Sequence, residues 1–370
     1  MAERKGDIRL MANGLVLVLI GLLVRQIDHW WFSPYRRLPG SSKDRPACND
    51  IASIKRLQRA RANDYTPICV VVGHWLEIAG LWMIGGAVDN LAVWVLIGLL
   101  VSIEFRCLQE VSHYAVHRSL CRTRRVGDML ANMGFQFPLA LRDLTQRRVV
   151  HVRRHHPNAI IPGVDPNLED LANAGLSMGC TRGGFLLGVL FPMTPRGVYR
   201  TGRDVWHALT SSRQKRWVLL STAITMVGAY LLGGPLGLAF GFLIPRFLVY
   251  PELSWISLLV EHRWFDRPPD RGNRVTVEAA RCQRLYYGRP VLEALAGQTL
   301  LPYGDLRHFA HSAYPMIRWN YLRAVERAIG QPQRLVPAIF FGPHSSLAYV
   351  YRSTVLGEAH DESRAQPHPL

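Results

Sequence analysis

"PICVVVGHWLEIAGLWMIGG" (67–86) and "LAVWVLIGLLVSIEF" (91–105), joined only by "AVDN" (87–90), decide the fold. About 20 apolar residues in a helix cross the ~30 Å hydrocarbon core of a bilayer. The first run has that length and the second nearly so. The turn between them is too brief for anything but a hairpin. The pattern recurs at Trp217 to Leu232 and Leu236 to about Tyr250, joined by "GGP" (233–235). Gly and Pro within such helices are tolerated in lipid. The expectation is an all-α integral membrane protein with two transmembrane helical hairpins.

Composition agrees. The 370 residues are 49% hydrophobic and include 10 Trp, yet the formal charge is +17. Apolar spans separated by arginine-rich loops give both at once. Nucleic-acid binding would also explain the charge, but no zinc-finger spacing, RNP-like strand or phosphate loop is present. The six cysteines (Cys48, Cys69, Cys107, Cys121, Cys180, Cys282) form no C-x-x-C pair, so they read as reduced, buried thiols of a cytoplasm-facing protein.

Residues 107–216 carry 16 Arg and Lys against 7 Asp and Glu, while the hairpin turns carry one Asp between them. The positive-inside rule then places 107–216 in the cytoplasm as a helical cap and both turns outside. "LMANGLVLVLIGLLV" (10–24) follows a charged start but precedes no small-residue cleavage site. It reads as an interfacial helix or a fifth span, and the basic residues of 25–66 and "MAERK" favour the interfacial alternative. "HWWFSPY" (29–35) suits an interfacial belt, and the tail 357–370 reads as disordered. The expected divisions are residues 1–66 (N-terminal helix and basic segment), 67–325 (membrane domain) and 326–370 (C-terminal extension).

Eight of the 14 histidines fall in three boxes and one single position. They are His113 and His117; His151, His155 and His156; His262; and His308 and His311. At α-helical spacing His113 and His117 share a face, as do His151 and His155, and His156 points about 100° further round. Adjacent histidines can therefore serve two different metals, or one metal and a hydrogen-bond network. Neutral imidazole is a good ligand for iron, copper, zinc or nickel, and a bound dication keeps the cluster deprotonated among its arginines. Glu110, Asp165, Glu261 and Asp305 stand beside the boxes as candidate acceptors that fix the imidazole tautomers. His74, inside a span beside Glu77, reads as a hydrogen-bonded packing residue.

The boxes "QEVSHYAVHRS" (109–119), "HVRRHH" (151–156) with "DPN" (165–167), "EHRW" (261–264) and "DLRHFAHSAYPMIRWNYL" (305–322) resemble those of the membrane fatty acid desaturase and hydroxylase superfamily, over about residues 67 to 325. The resemblance implies a di-iron site held by His113, His155, His156, His262, His308 and His311, with His117 and His151 as additions. It implies O2 as co-substrate and oxidation of a C–H bond in a lipid or acyl-bearing substrate. It also implies a separate electron donor (ferredoxin, rubredoxin or reductase), since no His-Pro-Gly-Gly haem motif is present. Two positions depart from the family pattern. Gln109 stands where the first box usually begins with histidine, and Ser312 where the third usually ends with one. Gln109 could ligate through its amide oxygen, or water could fill the gap.

Other readings remain. "QEVSH" has the Glu and second His of a zinc-peptidase H-E-x-x-H but lacks the first ligand. A non-catalytic relative with a decayed site would fit Gln109 and Ser312. A transporter would make use of His74, Glu77 and Glu104 within the spans. Arg147, Arg148, Arg153 and Arg154 are candidates for an anionic headgroup or an acidic donor, or are simply positive-inside loop charge.

Overall fold

A computed structural model describes residues 2–31, 51–88, 90–266 and 272–358. Asp89, residues 32–35 of the interfacial belt and all but the first two residues of the tail lie outside the described residues.

The first hairpin pairs helix Thr66–Val88 with helix Leu91–Val116, the second capped by the Asn90 side chain on the amides of Ala92 and Val93. The second helix continues well past Phe105, where its apolar run ends. Its last turns are polar but buried, because Arg106, Glu110 and His113 face inward and pair there. The second hairpin behaves alike. Helix Lys215–Leu238 breaks at Gly234, whose φ of 64° and ψ of −159° suit only glycine, and Pro235 follows. The chain returns through two π turns, Ala239–Leu243 and Pro245–Val249, into helix Tyr250–Glu261. Helices therefore carry the chain beyond the apolar runs and deliver Glu110, His113 and Glu261 to one end of the bundle.

The hairpins pack closely through small residues. Trp94 is buried against Gly85, Gly233 and Gly237, and the Trp82 indole donates to the Gly241 carbonyl (3.0 Å). Phe105 meets Phe242 and Tyr250 edge-on, with ring centroids 6.4 Å apart in each case.

The N-terminal helix Ala2–Trp31 runs antiparallel along helix Thr66–Val88. Gly14 sits against Gly80, and Gly21 against Gly73. A Cβ at any of the four would fall within about 2.5–2.7 Å of the facing carbonyl oxygen, so the backbones touch. Near the box-bearing end Arg25 pairs with Glu77 (3.2 Å), and buried Asp28 pairs with buried Arg318 (2.9 Å). This arrangement corresponds to the fifth-helix alternative. The interfacial one, favoured on loop charge, is not what the packing gives: an apolar helix with glycines on one face gains more from a matching helix than from lying flat.

The cap combines residues 117–211 with the described residues of 262–266 and 272–356. Its apolar core of Trp264, Leu285, Leu301, Val336 and Tyr349 is continuous with Trp255 and Leu259 of helix Tyr250–Glu261. The all-α expectation needs one small addition, a parallel pair of three-residue strands, Gln283–Leu285 with Arg334–Val336. An antiparallel bridge beside it sets His262 opposite Cys282.

Candidate metal centre

All eight box histidines converge beneath the hairpins, and they sort into two groups. In the first, His113, His117, His151, His156 and His311 each offer a ligand nitrogen, all within 4.8 Å of one another. Four Nε2 atoms nearly touch. His113 to His151 is 2.6 Å, His117 to His113 and to His151 is 3.1 Å, and His156 to His151 and His117 is 3.1 and 3.2 Å. His311 faces the same space with both ring nitrogens buried and unpartnered.

The second group holds His262 and His308, with Nε2 atoms 3.1 Å apart, and Cys282. His155 stands against His262, ring centroids 5.3 Å apart. Its Nδ1 meets Asp165 at 2.9 Å, and its Nε2 is buried without a partner. Third, inside the spans, His74 lies between Glu104 and the Tyr303 hydroxyl, as expected of a hydrogen-bonded packing residue.

His151 lies against both of its box neighbours. Its ring stacks on His155, as the helical spacing leads one to expect, with centroids 5.3 Å apart, and its Nε2 is 3.1 Å from that of His156. Residues Val149–His155 form a π turn, in which each amide bonds five residues back. Positions four and five apart both fall near one face of such a turn, and His151 and His156 enter the first pocket while His155 lies against His262 of the second.

The candidate acceptors are placed as follows. Glu110 meets His113 Nδ1 at 2.7 Å. Glu261 and Asp305 flank His308 at 3.9 and 3.8 Å. Buried Arg106 ties this layer together, binding Glu110 (3.1 Å), Ser257 (2.8 Å) and Asp305, while Ser257 also donates to Asp305 (2.6 Å). Gln109 is not among the converging groups: its amide oxygen accepts from Ser254 and Arg106. Ser312 borders the second pocket, its hydroxyl 3.4 Å from His308 Nε2. Among the arginines, Arg148 is held by Asp128 and the Ala115 and Val116 carbonyls. Arg147 donates to the Ser112 hydroxyl (2.8 Å) and has no carboxylate in contact among the described residues. Arg153 and Arg154 are exposed.

A family model described as fatty acid desaturase matches residues 89–339, more than half of the chain. The chain belongs to the fatty acid desaturase family. No curated protein matches it. Family and apolar helices together make it an integral membrane protein, and family membership makes it an oxidoreductase of the desaturase and hydroxylase type.

The pockets of this desaturase-family chain fit metal ions on their own chemistry. With the His113 proton held at Nδ1 by Glu110, its Nε2 is a bare acceptor facing other imidazole nitrogens. Such groups repel unless a cation lies between them. Metal–nitrogen bonds of about 2.0–2.1 Å put cis nitrogens about 2.8–3.4 Å apart, the range into which most of these spacings fall. Burial, reinforced by neighbouring imidazoles, holds His151 and His156 well below the ordinary imidazole range. His117, His262 and His311 are lowered in the same way. His308 is the exception: burial opposes its charge, but Glu261 and Asp305 raise it.

These shifts predict how the metal-free chain responds to acid. Below about pH 6.5 the unfolded chain takes up protons that the five lowered histidines refuse while folded. Stability is therefore lost as pH falls through that value, and raised His308 offsets only a small part. Thermal unfolding of chelator-treated protein in detergent should show Tm dropping between pH 7.5 and 5.5. A flat profile would contradict neutral burial of the cluster.

Proposed function

We propose that the chain is a membrane-bound, di-iron, O2-dependent desaturase or hydroxylase acting on a C–H bond of a lipid or acyl-chain substrate. The observation that carries this reading is the convergence of five imidazoles from three separated segments, His113 and His117, His151 and His156, and His311, beside a second histidine pocket. His113, His117, His151, His156 and His311 would hold one ion, and His155, His262 and His308 the other. Bound iron would supply O2 activation for removal of hydrogen from an unactivated C–H bond, with electrons from a separate donor protein.

The chain's own residues set the conditions. Glu110 and Asp165 accept the Nδ1 protons of His113 and His155 and turn the Nε2 lone pairs inward. Arg106 fixes Glu110 and Asp305 in turn. The buried setting of Phe105, Tyr250 and Tyr114 keeps water from the reacting end of the bundle. A hydrophobic substrate would enter from the bilayer between the hairpins. Desaturation and hydroxylation differ by substrate placement of fractions of an ångström. The positive loop charge supports a cytoplasmic active site, with five membrane-embedded segments hanging from that face.

Lipid and metabolite analysis of cells expressing the chain or its His155→Ala variant tests the proposal. A new double bond marks a desaturase and a gain of one oxygen a hydroxylase. Identical profiles in the two strains would overturn the enzymatic reading.

A further inference from the structure

The two pockets differ in donor chemistry. The first offers only imidazoles. The second contains a thiol. Cys282 is fully buried, and its Sγ and the ligand nitrogens of His262 and His308 all lie within 4.8 Å of one another. Sγ is 3.6 Å from His262 Nδ1. That nitrogen is the one opposite Nε2, which faces His308, so an ion shared with Cys282 would take His262 through Nδ1; bonds of about 2.3 Å to sulfur and about 2.1 Å to nitrogen set such donors about 3.6 Å apart. The position is not accidental to the backbone. The bridge between His262 and Cys282, with the Arg263 amide bonded to the Arg281 carbonyl (2.7 Å), presents both side chains to the pocket. The Nε2 of His155, on the ring packed against His262, is buried and has no partner, a second donor at this end of the cluster that lacks one.

The thiol also lies where a ligand is missing. Ser312 occupies the place at which the third box would continue with histidine, and its hydroxyl is only 3.4 Å from His308 Nε2. A serine there leaves the pocket one strong donor short, and Cys282 comes from the facing segment.

We propose that Cys282 is a thiolate ligand of the second metal, replacing the imidazole absent at position 312. When the ion binds, the Sγ–H bond breaks, the Sγ–metal bond forms and the proton is released to the medium. The second pocket then carries one anionic, soft donor among its imidazoles, while the first stays all-nitrogen. Soft ligation favours a different balance of metals and oxidation states in the two pockets. This rests on the reading of the boxes as a metal centre.

The test uses the full chain purified in detergent, stripped with chelator and reloaded with Co2+. Its X-ray absorption should show a sulfur scatterer at about 2.3 Å beside nitrogen at about 2.0–2.1 Å. Its absorption spectrum should show a thiolate-to-cobalt charge-transfer band in the near ultraviolet. Cys282→Ser should lose both signals while Co2+ in the first pocket remains. Should the variant fail to fold, the wild-type spectra alone decide. Cobalt bound with nitrogen and oxygen scatterers only, and no charge-transfer band, overturns the assignment of Cys282 while leaving the metal centre standing. No Co2+ bound at all overturns the metal centre itself, and this assignment with it.

Discussion

Replacing His156 by alanine is expected to empty one metal pocket and spare the other, and replacing its neighbour His155 is expected to do the reverse. Each variant should retain about half of the wild-type metal, because each removes a donor on which one pocket depends. The π turn over Val149–His155 is the cause: it puts His156 3.1 Å from His151 in the first pocket and leaves His155 beside His262. Double variants separate this from a general weakening. His117→Ala with His156→Ala should bind as much metal as His156→Ala alone, since both residues serve the same pocket. His155→Ala with His156→Ala should bind almost none. Equal loss in the two double variants would mean that the histidines serve one shared site.

Arg106→Leu is expected to be the most destabilising single substitution near the centre. The guanidinium is buried and holds Glu110, Asp305 and Ser257, which come from two spans and the cap. Its removal leaves two buried carboxylates without their cation. Losing one partner of a buried pair costs about 3–5 kcal/mol. The same change frees Glu110 from its place on His113 and Asp305 from its place near His308. Loss of such supporting contacts lowers metal affinity by about 10–100-fold. Thermal unfolding in detergent, run with and without metal, measures the first effect, and titration with Fe2+ measures the second. A variant within about 0.5 kcal/mol of wild type, the range of ordinary surface changes, would show that Arg106 does not tie these elements together.

Much of this is legible in the amino-acid sequence. The two hairpins follow from apolar length and the Asp-Asn and Gly-Gly-Pro turns. The boxes follow from histidine spacing. Where the helices end was not legible, because hydropathy stops at Phe105 and Tyr250 while the helices continue to Val116 and Glu261. Their final turns are polar residues satisfied by one another across elements, which no single segment reveals. The docking of the N-terminal helix depends on glycines 14 and 21 meeting glycines 80 and 73, a match between distant segments. The α-helical period rightly sets His151 beside His155, but the approach of His156 to His151 belongs to a π turn that the spacing does not reveal. Cys282 gave no signal at all: it lies in no cysteine motif, and only the bridge to His262 brings it to the metal centre. Gln109 had a false signal, since its frame suggested a ligand and its amide instead binds Ser254.

Iron content per chain of the protein purified from iron-replete cells tests the central claim most directly. Two pockets of converging, neutral imidazoles should retain about two iron ions per chain, falling to about one in His155→Ala. Wild-type protein that folds normally yet binds no iron, no zinc and no added Co2+ would contradict it.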